Sequence, residues 1–256
     1  MDNEKRAEKK SLPLSERIYR TPMVYVVIYS ALSALVLFLV TVILMWVLGF
    51  GYTSSYLTDG TEVRFFGMMR DGTPTFGWIN DSEGNRGFVM GNSISYSDGS
   101  RYDGPLYGFY YQGDGVYTDK DGNVYRGYFD MGGLTGSVHV DYADGGSFDG
   151  EYLYGERNGY GVERHPTESE TEWGYSGNYS GGKENGYGEY TYPDGSTYKG
   201  NFKDGMRHGQ GVYRFTGGDS YSGEFHNNVI HGVGSYFFSS GRVFSGEFVR
   251  GIPVLG

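Results

Sequence analysis

The sequence predicts an all-β repeat array, an elongated single-layer antiparallel β-hairpin meander, with one N-terminal transmembrane α-helix ahead of it. Three observations predict it. The 256 residues include 45 Gly, 26 Tyr and 16 Phe, a composition that suits short strands and tight turns and makes poor helices. A glycine–aromatic pattern restarts every 23 residues over much of the chain, and a fixed period in that range marks a repeat architecture. One early stretch carries no charge and is long enough to cross a membrane.

Residues 1–21 form a basic tail with six Lys/Arg against four Asp/Glu. From there to Thr58 no Asp, Glu, Lys or Arg occurs, and residues 22–50 are apolar almost throughout. A spanning helix needs about 20 such residues. Trp46, Phe50 and Tyr52 are placed for an aromatic belt at one interface, Tyr19 and Tyr25 at the other. A cleaved signal peptide would have an apolar region of about 7–15 residues ending in a small-residue site; this one is longer, and its small-residue cluster, Ser30 to Ala34, is followed by more apolar chain. A buried core helix would need a layer to wrap it, and the remainder offers none. Basic residues precede the span, whereas only Arg64 and Arg70 follow it closely. The positive-inside rule then expects a cytoplasmic N-terminus and extracytoplasmic repeats at the plasma membrane.

Residues 51–62 read as a linker. Residues 63–101 carry the pattern in damaged form, as in Phe66-Gly67 and Phe76-Gly77-Trp78, and read as degenerate capping repeats. Residues 102–256 hold the clear register. Units start at Tyr102, Tyr125, Phe148, Tyr175, Tyr198, Tyr221 and Phe244, every interval being 23 residues except the 27 before Tyr175. The extra four fall within His165 to Trp173.

Within one unit, Tyr198 to Phe202 alternates as a strand, Lys203 to His208 reads as a turn, Gly209 to Phe215 alternates again, and Thr216 to Ser220 turns back. Each unit is thus a hairpin, about 14 strands in all. Tyr198, Gly200 and Phe202 share a face, as do Gly209, Gly211, Tyr213 and Phe215; the other face is mostly polar. Glycine weakens a strand, but here it leaves room for a ring to lie over bare backbone.

The pattern Tyr-x-Gly-x-Phe…Gly-x-Gly…Asp-Gly, seen in Tyr198 to Phe202, Asp204-Gly205, His208 to Gly211 and Asp194-Gly195, resembles the MORN (membrane occupation and recognition nexus) repeat. The likeness covers residues 102–251 well and 63–101 loosely. Val138 and Asn228 each stand where a Gly belongs. The resemblance implies a single-layer sheet used for scaffolding, membrane association or protein contacts, without catalytic chemistry of its own.

Net charge is −10, which disfavours nucleic acid as a partner. Cysteine is absent, so disulfides and thiolate chemistry are excluded. No cofactor and no metal are expected: His208 and His231 sit at equivalent offsets in adjacent hairpins, about 10 Å apart, too far to share one zinc unaided. Asp98, Asp121, Asp144 and Asp194 precede Gly and read as turn residues rather than calcium ligands. The candidate binding surface is the aromatic face: Tyr175, Tyr179, Tyr190, Tyr192, Tyr198, Phe202, Tyr213, Phe215, Tyr221, Phe225, Tyr236 and Phe238. Rows of rings stack on sugars or peptides, and the same rings are needed to cover the glycines. A second candidate contact is the inserted loop, with Glu168, Glu170, Glu172 and Trp173, whose plainer reading is solvated surface.

The expected function is a non-enzymatic, single-pass membrane-anchored scaffold presenting the repeats to an unidentified protein partner at the cell surface. The alternative is a cell-envelope glycan binder. A third reading, a wall-lytic enzyme using carboxylates such as Glu163 or Asp141, has no fixed acid pairing behind it.

Overall fold

The computed structural model describes residues 22–58, 60–166 and 172–254. The chain forms two compact units, residues 1–51 and 52–256.

The first unit contains helix α1 (Pro22–Val47). Its apolar window, Val24–Val47, has a mean hydropathy of 2.7, and none of it is buried. The few hydroxyls turn back on the helix: Ser30 Oγ donates to the Val27 carbonyl at 2.9 Å, and Thr41 Oγ1 to that of Leu37 at 2.7 Å. That is how hydroxyls are satisfied without water. The helix stops before the expected boundary at residue 50. Gly49 takes a left-handed φ of +82°, which closes the last turn, and Phe50 already opens a strand.

The second unit is one sheet of consecutive antiparallel strands. It runs β1 (Phe50–Tyr56), β2 (Glu62–Arg70), β3 (Thr73–Asp81), β4 (Arg86–Met90), β5 (Ser93–Tyr96) and β6 (Arg101–Asp103). A small separate hairpin follows, β7 (Leu106–Tyr107) and β8 (Tyr110–Tyr111). The sheet resumes with β9 (Gly113–Thr118), β10 (Val124–Asp130), β11 (Gly133–Asp141), β12 (Ser147–Leu153), β13 (Glu156–His165) and β14 (Trp173–Ser180). It ends with β15 (Lys183–Thr191), β16 (Thr197–Lys203), β17 (Met206–Arg214), β18 (Ser220–His226), β19 (Val229–Phe237), β20 (Val243–Val249) and β21 (Ile252–Pro253). Among the described residues the sheet has 19 strands, more than the clear repeats alone suggest, because the damaged region from 63 to 101 also pairs continuously. The expected linker, 51–62, is partly strand too: β1 pairs with β2.

Two local devices set the register of each regular unit. The first turn holds only two residues, not six. Asp204 and Gly205 have φ of +52° and +81°, the paired left-handed geometry of a tight hairpin whose twist matches its strands. The second device is an irregularity. Gly200 pairs with Gly211 but Phe202 with Arg207, so extra residues bulge from β17, and Gly209 carries a φ of +65° there. The bulge leaves the Asn201 carbonyl facing the ring of Tyr198, whose hydroxyl donates to it at 2.9 Å. Tyr175 and Tyr221 repeat this bond to Asn178 and Glu224.

The glycines therefore divide by task. Gly200 and Gly211 face each other under Tyr198, and a Cβ on Gly211 would lie 2.5–2.6 Å from Cε2 and Cζ of that ring. Gly209, by contrast, meets no ring and serves the bulge. The core is the row of covering rings: Tyr102, Phe148, Tyr175, Tyr198 and Tyr221 are all sealed from solvent. From Phe148 onward each packs edge-on against a ring of its own unit and one of the next, as Tyr198 does with Phe202 and Phe225, both at 5.0 Å.

The unit from Tyr102 departs from this plan. Its first strand ends at Asp103, and residues 104–112 fold as the β7–β8 hairpin, with Tyr111 stacked on Tyr102 at 3.9 Å. The capping hairpins have a smaller core of Val63, Phe65, Ile79, Val89 and Ile94.

Candidate functional site: two faces of the array

The ring face is a core rather than an open platform. Of the twelve rings expected to bind, Tyr175, Tyr179, Tyr198, Phe202, Tyr221 and Phe225 are buried. The reason is the packing between units just described: Tyr175, Tyr198 and Tyr221 each lie over a glycine pair, and Tyr179, Phe202 and Phe225 seal them. Tyr190, Tyr192, Tyr213, Phe215 and Tyr236 flank this core, half-buried. They form a connected band, for example Tyr190–Tyr192 at 4.5 Å and Tyr213–Phe215 at 4.6 Å. Phe238 closes it and is exposed. Burial pushes the phenols of Tyr175 and Tyr198 well above their ordinary range, so they remain neutral hydrogen-bond donors.

Arg207 and Arg157 reach into the inner part of this face, while Arg242 lies 5.5 Å over Phe238 at its end. The Arg207 guanidinium lies 4.9 Å from the Tyr213 ring centre and 5.9 Å from that of Tyr198, and its Nη2 donates to the Asn228 carbonyl at 2.8 Å. Arg157 lies 4.6 Å over Phe148 and 5.3 Å over Tyr179. Its charge meets Glu163 at 3.0 Å. Desolvation alone would raise the Glu163 carboxyl, but the Arg157 charge and hydrogen bond outweigh it and hold the group below the ordinary value. Glu163 stands where other units have Tyr190, Tyr213 and Tyr236. The interrupted unit thus replaces a ring with an ion pair.

The interruption itself is partly visible. Glu168 and Glu170 lie outside the described residues. Glu172 is exposed, and Trp173 is half-buried. Trp173 stacks on His165 at 4.2 Å, which stacks in turn on Tyr142 at 5.3 Å. His165 also contacts Asp144 and Glu163. Trp173 is therefore anchored in a three-ring pile, and the sequence reading missed the two other members.

The outer face is polar and ion-paired in its middle. Arg126 bonds Asp141, His139 bridges Asp141 at 3.1 Å and Asp149 at 2.7 Å, and Arg164 reaches Asp149 at 3.4 Å. The alternate-residue rule places Tyr160 and Tyr187 on this face, and both are exposed. They sit between the two glycines of their strands, a position the ring-face reading overlooked. Glu163 and Asp141, the carboxylates considered for catalysis, are each engaged by cations and held below their ordinary values, unlike a general acid poised near neutrality.

His208 and His231 are bridged by His226, a residue the spacing argument did not consider. Its ring lies 5.0 Å from one and 6.1 Å from the other. Among the described residues no group of three His, Cys, Asp or Glu is placed to hold a metal ion. The turn aspartates serve their own turns: Asp194 Oδ1 accepts from Ser196 N at 2.8 Å and Oγ at 2.7 Å, and Asp98 does the same with Ser100.

Antiparallel hairpins, glycine pairs under rings and a fixed period together define a repeat scaffold. The chain also carries an apolar helix that is a candidate membrane span by length and composition. A family model for the MORN repeat matches residues 148–169, 175–197, 198–220 and 221–241. The four matches are consecutive and support a repeat-based protein-interaction scaffold; the MORN repeat family is generally non-enzymatic. A comparison with curated proteins finds no match.

Proposed function

We propose that the chain is a single-pass membrane protein whose 22–50 segment is an uncleaved anchor, with residues 1–21 in the cytoplasm and the repeats presented to protein partners at the cell surface. The observation that carries this reading is α1: an apolar window of 24 residues with nothing buried against protein. Such a surface needs lipid around it. The excess of Lys/Arg ahead of it supports the orientation. Within the array, the loop from His165 to Trp173 and the half-buried ring band from Tyr190 to Phe238 serve as contacts. The fully buried rings serve the core instead.

The test has three arms. The protein should stay in the membrane after alkaline carbonate washing. Its mature N-terminus should precede Pro22. A C-terminal reporter that works only outside the cytoplasm should be active. Cleavage after Ala34, or a C-terminal reporter active only in the cytoplasm, defeats the proposal. Crosslinking in the native membrane would then identify the protein partner.

A second reading, envelope glycan binding, rests on Tyr160 and Tyr187. They are exposed on one face two strands apart, about 10 Å, a spacing suited to stacking on successive sugars. Retention of the protein on purified wall material, lost in a Tyr160→Ala/Tyr187→Ala variant, would support it over the protein-scaffold reading.

A further inference from the structure

Where the capping hairpins meet the repeats, a groove opens beside the β7–β8 hairpin. Two adjoining cavities of about 280 and 350 Å³ share Asp81, Asn85, Tyr96 and Tyr111 as walls. Phe109 closes one end, while Tyr117 and Asp98 line the other. Tyr111 donates to Tyr96 at 3.0 Å, and burial keeps both phenols neutral. The charges on the walls are therefore the carboxylates of Asp81 and Asp98. Hydrogen bonds from Ser100 hold Asp98 below the usual carboxylate range. No Lys or Arg lines either cavity; the cation acting on Asp98, Lys120, does so only weakly and from outside the walls.

The same chain shows twice what belongs among such rings. Arg157 lies over Phe148 and Tyr179 and pairs with Glu163. Arg207 lies among Tyr192, Tyr198, Tyr213 and Phe225, all within 5.9 Å of the guanidinium carbon. These arginines stand nine positions after the first ring of their units, Phe148 and Tyr198. Nine positions after Tyr102 stands Tyr111, a ring instead of a cation. The junction thus has rings and carboxylates but no guanidinium of its own.

We propose that this groove is a recognition pocket for an arginine side chain of a protein partner, the guanidinium stacking among Tyr96, Tyr111 and Tyr117 and pairing with Asp98 and Asp81. Planar guanidinium is the cation that both stacks on aromatic faces and pairs with carboxylate. The pocket deepens the protein-scaffold reading and rests on it.

The test uses the detergent-solubilised full chain and Nα-acetyl-arginine N-methylamide as probe, with the neutral citrulline counterpart as control, both read by saturation-transfer NMR titration. The arginine probe should bind saturably, and citrulline about fivefold more weakly. Asp81→Asn/Asp98→Asn should weaken the arginine probe by a similar factor; position 81 then gives up its bond from Asn85 Nδ2, so Asp98→Asn alone, whose Oδ1 still accepts from Ser100, is the variant that should weaken the probe with an unchanged melting temperature. Equal binding of the two probes overturns the proposal, as does absence of saturable binding or displacement by a neutral disaccharide that is indifferent to the double variant. Because the probe reads the pocket alone, its failure leaves the scaffold reading standing. Probe binding without any crosslinked partner would count against the scaffold reading and spare the pocket.

Discussion

The regular hairpins from Tyr175 to Phe248 and the capping hairpins from Glu62 to Met90 use the same rings on opposite faces. In the regular units aromatics fill the inner face, and Lys199, Asn201 and Glu224 take the outer one. In the cap, the inner face is mostly aliphatic, with Val63, Ile79 and Val89 beside Phe65. Its outer face carries the stacked pair Phe66–Trp78 at 6.1 Å and the edge-on pair Trp78–Phe88 at 5.3 Å. What survives in both is the glycine pair. Phe65 lies over Gly67 and Gly77 as Tyr198 lies over Gly200 and Gly211. The pair is therefore common to the cap and the regular units, although Val138 breaks it in the unit from Tyr125. The inner aromatics beyond it belong to the regular stack, where each unit must seal its neighbour. The family model matches only within the stretch where that stacking recurs.

The comparison breaks most directly at the pair. Gly211→Val should cost about 4 kcal/mol, because the new methyls meet the buried Tyr198 ring and the facing Gly200 backbone. Gly217→Ala is the control: it has open space around its Cβ position and no left-handed φ, so its melting temperature should barely change. Similar melting temperatures for the two variants would show that the rings do not depend on bare backbone.

The next test concerns the interrupted unit. Arg157→Leu leaves Glu163 half-enclosed without its cation and should cost about 2 kcal/mol. Adding Glu163→Tyr restores the residue found at Tyr190, Tyr213 and Tyr236, while Leu134 already stands at the position of Arg157 one unit earlier. The double variant should recover most of the loss in chemical denaturation. If it stays as unstable as the single one, the ion pair has a role that the ring grammar cannot replace.

These tests also mark what was legible beforehand. Periodicity and alternation are local, so the hairpins, their faces and the charge-free helix could be read from residue order. Burial is not local. Tyr198 is sealed by Phe225, 27 positions on, so the same alternation that places it on a face says nothing of whether that face stays open. The bulge was equally hidden, because Gly209 and Gly211 look alike until the register across to β16 separates them. In the cap the repeat pattern singles out Phe66-Gly67, whereas the covering ring is its neighbour Phe65. The groove beside β7–β8 had no signal in the repeat pattern, since the offset that Tyr111 fills varies freely between units, with Leu134, Arg157, Glu184, Arg207 and Ile230 in the others.

A smaller effect separates Tyr from Phe as the covering ring. Tyr198→Phe removes the hydroxyl that satisfies the Asn201 carbonyl and should lower stability by about 1 kcal/mol. Phe148 and Phe244 occupy the same offset naturally, so the fold must survive the change. The reciprocal Phe148→Tyr measures whether a hydroxyl is welcome in the unit whose ring already carries Arg157 above it. Equal stability of Tyr198→Phe and the parent would mean that the bulge carbonyl is satisfied by water.

The smallest expected effect tests the outer face, where neither ring nor glycine matters. His139 lies between Asp149 and Asp141. The hydrogen bond to Asp149 is the largest cause of its raised pKa, with Asp141 adding to it against a modest desolvation penalty. A group raised on folding binds its proton more tightly in the native state. Its contribution is fully present below the ordinary histidine value, near 6.5, and fades as pH climbs through the higher folded value. The ring is substantially exposed, so screening holds the gain below about 0.5 kcal/mol. Urea denaturation of the parent and of His139→Gln should therefore differ slightly more at pH 5.5 than at pH 8.5, by an amount that shrinks with added salt. A gap that widens toward high pH would reverse the sign and show that neutral, not protonated, His139 is the form the outer face holds.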